Sequence, residues 1–178
     1  APRYPVSPVL FRTLDLRNYG SYVIRYGDLD SDGDLDILSV QIDGSRRPTC
    51  FTAIHLDGSI IWQKGTPHRA NYLSTGDIGV QVVDFNLDGK NEVVYASGNE
   101  LVMLNGQTGD VLRTASVQCK GGLFFMAFGG EQVDSLVCKL DVGRFAVMDN
   151  HFEIRWQRYG SLGHFPIALT APGQPPKL

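Results

Sequence analysis

One acidic string occurs twice in this chain, and that repetition limits the possible folds more than any other property. Tyr26-Gly-Asp-Leu-Asp-Ser-Asp-Gly-Asp-Leu-Asp-Ile-Leu38 aligns with Val82-Val-Asp-Phe-Asn-Leu-Asp-Gly-Lys-Asn-Glu-Val-Val94. The alignment pairs Asp28 with Asp84, Asp30 with Asn86, Asp32 with Asp88, Gly33 with Gly89 and Asp36 with Glu92. A degenerate third copy, Met126 to Val137, keeps the apolar frame and Asp134 but loses the other acidic positions. A second landmark follows each copy. Ile54 to Gly65 and Val147 to Gly160 share an Asp-Gly or Asp-Asn turn followed by Trp-Gln, and Leu101 to Arg113 is the middle copy without a tryptophan. Self-similarity at a fixed spacing means that one supersecondary unit is used several times, each copy burying its apolar face against the next.

The unit reads as four strands. Residues 22–26, 37–41, 80–85, 93–96 and 101–104 are short apolar runs rich in β-branched and aromatic residues, bounded by Gly, Asn or Asp, and no long helical period appears. The class is therefore all-β. Four antiparallel strands recurring every 40 to 55 residues or so are the signature of a β-propeller blade. The expected divisions are 1–20, an outer strand or linker of a preceding blade with Pro8–Leu16 as the strand; 21–65, a blade; 66–115, a blade; 116–160, a degenerate blade; and 161–178, the start of another. Propellers usually close with about four to eight blades. Three and a part imply a portion of a larger wheel or self-association.

The acidic strings have the spacing of an oxygen cage. Asp28, Asp30, Asp32 and Asp36 can converge on one hard cation because Gly33 permits a sharp turn, and the backbone carbonyl of Asp34 is the expected extra ligand. In the second loop Asp84, Asn86, Asp88 and Glu92 take those places, with the carbonyl of Lys90. Six to eight oxygens suit Ca²⁺. An EF-hand would need a bidentate acid twelve residues into each loop, where Ser39 and Tyr95 stand, with helices on either side. That reading fails. Acidic turns without metal are the alternative.

Composition removes several function classes. The formal charge of −3 and pI near 5.7 give no basic surface for nucleic acid. No apolar run is long enough to span a membrane. The start, Ala-Pro-Arg-Tyr-Pro, lacks the features of a signal peptide, as expected if a signal has been removed or the chain is an excised piece. Cys50, Cys119 and Cys138 have no metal-ligand spacing and read as core residues, with room for one disulfide.

The Asp-x-Asp-x-Asp-Gly-x-x-Asp hairpin, once per blade over residues 21–165, resembles the FG-GAP/VCBS repeat of integrin-like and bacterial propellers. Trp62 to His68 and Trp156 to Pro166 are similar to strings in secreted propeller polysaccharide lyases of the rhamnogalacturonan and ulvan groups. The resemblance implies structural Ca²⁺, a secreted or cell-surface location and an acidic polysaccharide or other glycan as partner. It implies either a lyase that cleaves a uronate-containing glycan by β-elimination or a non-catalytic glycan-binding or adhesion propeller. The chain departs from the pattern after Ala168, where a further acidic loop would be expected.

Blade topology separates cation from ligand. First and third hairpin turns share one face of the wheel, while second turns and crossovers share the other. The second face would carry His68 as base, Tyr72 as acid and Arg69 beside them, with His164 as the alternative base. Arg46, Arg47, Arg144 and Tyr19 would hold the sugar and its carboxylate. A histidine at two equivalent crossovers equally fits a structural habit of the repeat. His55 and His151 read as surface or packing residues, and Trp62 and Trp156 as core between blades.

Overall fold

The computed structural model describes residues 10–68, 78–119, 123–127, 132–141 and 143–160. Every regular element among them is a strand, and no helix there is long and apolar enough to cross a membrane. The first sheet consists of β1 (Val23–Gly27), β2 (Asp36–Ile42), β3 (Pro48–His55) and β4 (Ile60–Gly65). The second holds β5 (Val80–Val83), β6 (Glu92–Ser97), β7 (Glu100–Asn105) and β8 (Val111–Ala115). The third holds β9 (Leu123–Met126), β10 (Ser135–Asp141), β11 (Arg144–Met148) and β12 (Ile154–Tyr159). Each is an antiparallel meander in chain order. These are three four-stranded propeller blades.

Side-chain alternation explains how they stack, because successive residues of a strand face opposite sides. In β2, Leu38, Val40 and Ile42 meet Val93 of β6 and Val102 and Leu104 of β7 in one buried cluster. The next residues along the second blade, Val94, Leu101 and Met103, face the other way and pack on Leu123, Leu136, Cys138 and Met148 of the third. Aromatic contacts follow the same order. Phe51 meets Tyr95 at a ring separation of 4.7 Å, and Phe85 meets Phe125 edge-on at 4.9 Å.

The inner strands are joined too, since Arg25 of β1 donates from Nε to the carbonyl of Val80 in β5 at 2.6 Å. Trp62 is buried between the first two blades and donates from Nε1 to the Gly106 carbonyl. Trp156, its counterpart in the third blade, is 38% exposed and lies edge-on to Phe145.

The outward side of the first blade is polar. Ser39, Gln41 and Thr52 are buried there; Thr52 accepts from the Gln63 amide at 2.9 Å, and residues 18–20 supply partners for the other two. Ser39 donates to the Tyr19 carbonyl at 2.6 Å, and the Gln41 amide donates to the carbonyls of Asn18 and Gly20 at 2.7 and 3.1 Å. Residues 10–16 form no strand, in contrast to the outer strand expected over Pro8–Leu16. The chain there runs over the blade instead, with Arg12 donating to the Leu56 carbonyl at 2.7 Å.

Every blade has a β-bulge where its third strand meets its fourth. Ala53 pairs with Trp62 but Ile54 with Ile60, Met103 with Arg113 but Leu104 with Val111, and Val147 with Trp156 but Met148 with Ile154. The extra residues are Ile61, Leu112 and Arg155. A bulge re-aims a side chain. In the third blade this turns Arg155 toward Asp134 and Ser135, at 3.3 and 3.2 Å. Gly27 pairs with Asp36, Val83 with Glu92 and Met126 with Ser135, so Ser135 occupies the slot of Asp36 and Glu92, and Asp134 precedes it.

Candidate metal centre

The two acidic strings are first hairpin turns, and they fold alike. Asp28 accepts the amides of Asp32 and Gly33 at 3.2 and 3.1 Å, and Asp32 accepts that of Asp34 at 2.8 Å. Asp84 accepts the amides of Asp88 and Gly89 at 3.1 Å each, and Asp88 accepts that of Lys90 at 2.9 Å. Ser31 and Leu87 both sit at φ 65°, followed two residues later by Gly33 at 91° and Gly89 at 87°. A left-handed Ser or Leu is uncommon. Its recurrence at the same step shows that the two loops share one backbone path.

The first loop brings oxygens together from both ends. Carboxylate atoms of Asp28, Asp30 and Asp32 lie within 4.8 Å of one another, as do ligand atoms of Asp30, Asp36 and His55. Asp36 is fully buried, accepts the Leu29 amide at 2.8 Å and contacts His55 Nδ1 at 3.0 Å. Asp30 is common to both groups. Its Oδ1 is buried with no hydrogen-bond partner, and its Oδ2 is 3.6 Å from His55 Nε2. An orphaned buried oxygen in an anionic cluster is expensive unless a cation meets it. The carboxylates of Asp28, Asp30, Asp32 and Asp36 are hard oxygen donors of the kind Ca²⁺ takes, and His55 adds one nitrogen at the edge of the cluster.

The field of the site acts on its own groups. Burial raises Asp36 above the usual carboxylate range, against the Leu29 and His55 hydrogen bonds. Burial lowers His55, but the hydrogen bond and charge of Asp36 and the charges of Asp30 and Asp32 outweigh it, and the net shift is upward. In the second loop burial pushes Glu92 up to about 7, against the amides of Asn86 and Phe85 that it accepts. Asn86 links Glu92 Oε1 and Asp88 Oδ2 through its amide nitrogen at 2.9 and 3.0 Å. Asp34 is not among the converging ligand atoms and lines a cleft of about 510 Å³ with Arg12, Asp32, Asp36 and His55, and Lys90 reaches Gln107 at 3.5 Å.

The second blade grips the first loop. Asn91, between Lys90 and Glu92, donates to the Asp28 carbonyl at 2.8 Å, and Gln107 donates to that of Asp30. Gly106 passes so close that an added Cβ would lie 2.1 Å from the Asn91 carbonyl oxygen and 2.8 Å from that of Leu29.

The other expected site residues divide into three groups. Exposed His68 donates its amide to Gln41 Oε1 at 2.8 Å, and exposed Arg46 and Arg47 sit in the turn after Ile42, so all three stand at the end of β2 away from Asp36. Tyr19 is only 7% exposed, packed where residues 18–20 cross the first blade, and Arg144 is ion-paired with Asp141 at 2.8 Å. Tyr19 therefore offers no open side chain, whereas that of Arg144 is 37% exposed. Arg69, Tyr72 and His164 lie outside the described residues.

Two neighbours of the acidic positions were not anticipated from sequence. His55 pairs directly with Asp36 in the β2–β3 register, a relation readable only once the hairpin offset is known. Arg155 reaches the third loop because of the bulge.

No protein-family model matches the chain, and no curated protein matches it. Among solved structures it resembles the V. cholerae biofilm matrix protein Bap1, with 21% identity and a TM-score of 0.45 over 60% of this chain and 17% of that one. It also resembles BamB from Moraxella catarrhalis, with 16% identity and a TM-score of 0.46 over 78% of this chain and 38% of that one. The chain thus spans less than two fifths of either relative. With both scores below one half, the fold assignment rests on the strand order and blade packing described above.

Proposed function

We propose that this chain is a calcium-cemented part of a β-propeller that recognises an acidic glycan on the face opposite its cations. The observation that carries the cation half is the orphaned Asp30 Oδ1 within a cage of carboxylates. Asp28, Asp30, Asp32 and Asp36 would hold one ion with the Asp34 carbonyl, and Asp84, Asn86, Asp88 and Glu92 a second with that of Lys90. Bound Ca²⁺ supplies charge neutralisation and a cross-link between the two strands of each hairpin. The glycan half is supported by exposed Arg46 and Arg47 at the same end of β2 as His68, because paired guanidinium groups suit carboxylates.

Calorimetric titration with Ca²⁺, followed by glycan-array binding with and without chelator, tests both halves. Two sites and glycan binding that depends on Arg46 and Arg47 are expected. No heat of Ca²⁺ binding would overturn the first half, and binding indifferent to an Arg46→Ala/Arg47→Ala variant the second.

Elimination is a second reading, favoured by exposed His68 at the same end of β2 as two exposed arginines. A lyase must neutralise the uronate carboxylate, remove the C5 proton and protonate the leaving oxygen. His68 would take the proton, Arg46, Arg47 or Arg69 would hold the carboxylate and Tyr72 would protonate the leaving group, with His164 as the alternative base. Incubation with ulvan, rhamnogalacturonan and polygalacturonate, followed by unsaturated-uronate absorbance, separates the readings. A folded His68→Ala variant should lose about 10²- to 10⁴-fold in rate.

A further inference from the structure

We infer that Cys119 and Cys138 form a disulfide that ties the segment leading into the third blade to that blade's second strand. The two Sγ atoms are 2.6 Å apart, closer than unbonded thiols rest, and both residues are buried. Cys50 is no competitor, since it lies in β3 of the first blade with its thiol against Thr52.

The position of the pair argues for a fastening rather than an accident of packing. Cys138 pairs with Leu123 in the first-to-second strand ladder of its blade, as Ser39 pairs with Ile24 in the first. Cys119 lies four residues before Leu123, and Tyr19 five before Ile24, the counterpart of Leu123, so the two differ by one residue along the chain. In the first blade this slot is closed by the hydrogen bond from Ser39 to the Tyr19 carbonyl. In the third blade two sulfurs fill the same slot. That blade is also the one whose acidic loop has degenerated, with Arg155 contacting Asp134 and Ser135 beside its first turn. A covalent tie would thus fasten the blade whose first turn lacks the carboxylate set of the other two.

Formation needs an oxidant of the low-molecular-weight disulfide class. One cysteine thiolate attacks its S–S bond and expels a thiol; the second thiolate then attacks the mixed disulfide and expels the other. Two thiol hydrogens and two electrons pass from the protein to two molecules of reduced thiol. In the folded, reduced form the Cys138 contact and burial raise Cys119 far above the ordinary thiol range, which suppresses the attacking thiolate. Closure therefore belongs to folding, and reduction of the folded chain should be slow.

The test uses the full chain refolded with oxidised and reduced glutathione, then unfolded and alkylated with iodoacetamide. One alkyl group, on Cys50, and a mass lower by two hydrogens are expected; three alkyl groups should appear after prior reduction. Three alkyl groups without reduction, a bond to Cys50, or glutathione retained on Cys119 or Cys138 would each overturn the assignment. Melting provides an independent reading. Chain reduced while unfolded and refolded in reductant should melt roughly 5 to 15 °C below the oxidised chain, a Cys119→Ser/Cys138→Ser variant should show no such difference, and equal melting of the two wild-type forms would overturn the tie.

Discussion

Glu92 is nearly inaccessible, accepts three hydrogen bonds and still titrates near 7, because burial beside Asp88 and Asp84 penalises its charge more than its donors stabilise it. A carboxyl raised in the folded state binds its proton more tightly there than in the unfolded chain. Its contribution is fully present below the ordinary value of 4.5 and is lost as pH rises through about 7. Asp36 and His55 are shifted in the same direction. Chelator-treated protein should therefore be more stable at pH 5 than at pH 8, by about 2.5 kcal/mol from Glu92 alone, as read by urea melts. Glu92→Gln should flatten that slope. With Ca²⁺ present the slope should reverse, since the cation favours the carboxylate. Asp30 yields the complementary prediction. Asp30→Ala removes the oxygen shared by both ligand groups, and one of the two calorimetric Ca²⁺ transitions should disappear while the other remains. Retention of both would place the ion elsewhere.

Strands and turns show which parts of this architecture were legible in the sequence. The apolar runs at 22–26, 37–41, 80–85, 93–96 and 101–104 lie within two residues of β1, β2, β5, β6 and β7, because Gly, Asn and Asp mark their ends. The acidic turns were legible for the same reason, down to the glycine that both need. What stayed hidden depends on register and on segments folding over a sheet. His55 meets Asp36 only through the β2–β3 offset, Arg155 reaches Ser135 only through a bulge, and Tyr19 is covered because residues 18–20 cross the polar side of the first blade. The Asn105–Gly109 turn was marked by its Asn-Gly pair, but its approach to Trp62 was not, and two tests bear on the interface between the first two blades. Gly109 is at φ 72°, and a Cβ there would lie 2.6 Å from the Trp62 ring, so Gly109→Ala should cost about 2 to 4 kcal/mol. Asn91→Ala removes the donor that the second loop offers to the Asp28 carbonyl. It should weaken Ca²⁺ at the first loop by roughly 2- to 30-fold, the range of energies by which such couplings change, although Asn91 is not expected to touch either ion.

Across the molecule, stability is shared between neighbours. One buried cluster joins the first and second blades and another joins the second and third. The first interface also has the Trp62, Asn91, Gln107 and Arg25 bonds between blades. Such an array behaves as a sum of unit and nearest-neighbour terms. Ca²⁺ at one hundred times its dissociation constant should add about 2.7 kcal/mol per site, all of it in the first two blades. The alternating faces of β6 and β7 then have a further consequence. Because Val93, Val102 and Leu104 look one way and Val94, Leu101 and Met103 the other, the middle blade can keep one neighbour while releasing the other, so order is lost like a zipper opened from one end. Amide hydrogen exchange in Ca²⁺ should show protection falling from β2 and β3 through β6 and β7 to β10 and β11, a direction written into the side-chain parity of two short strands.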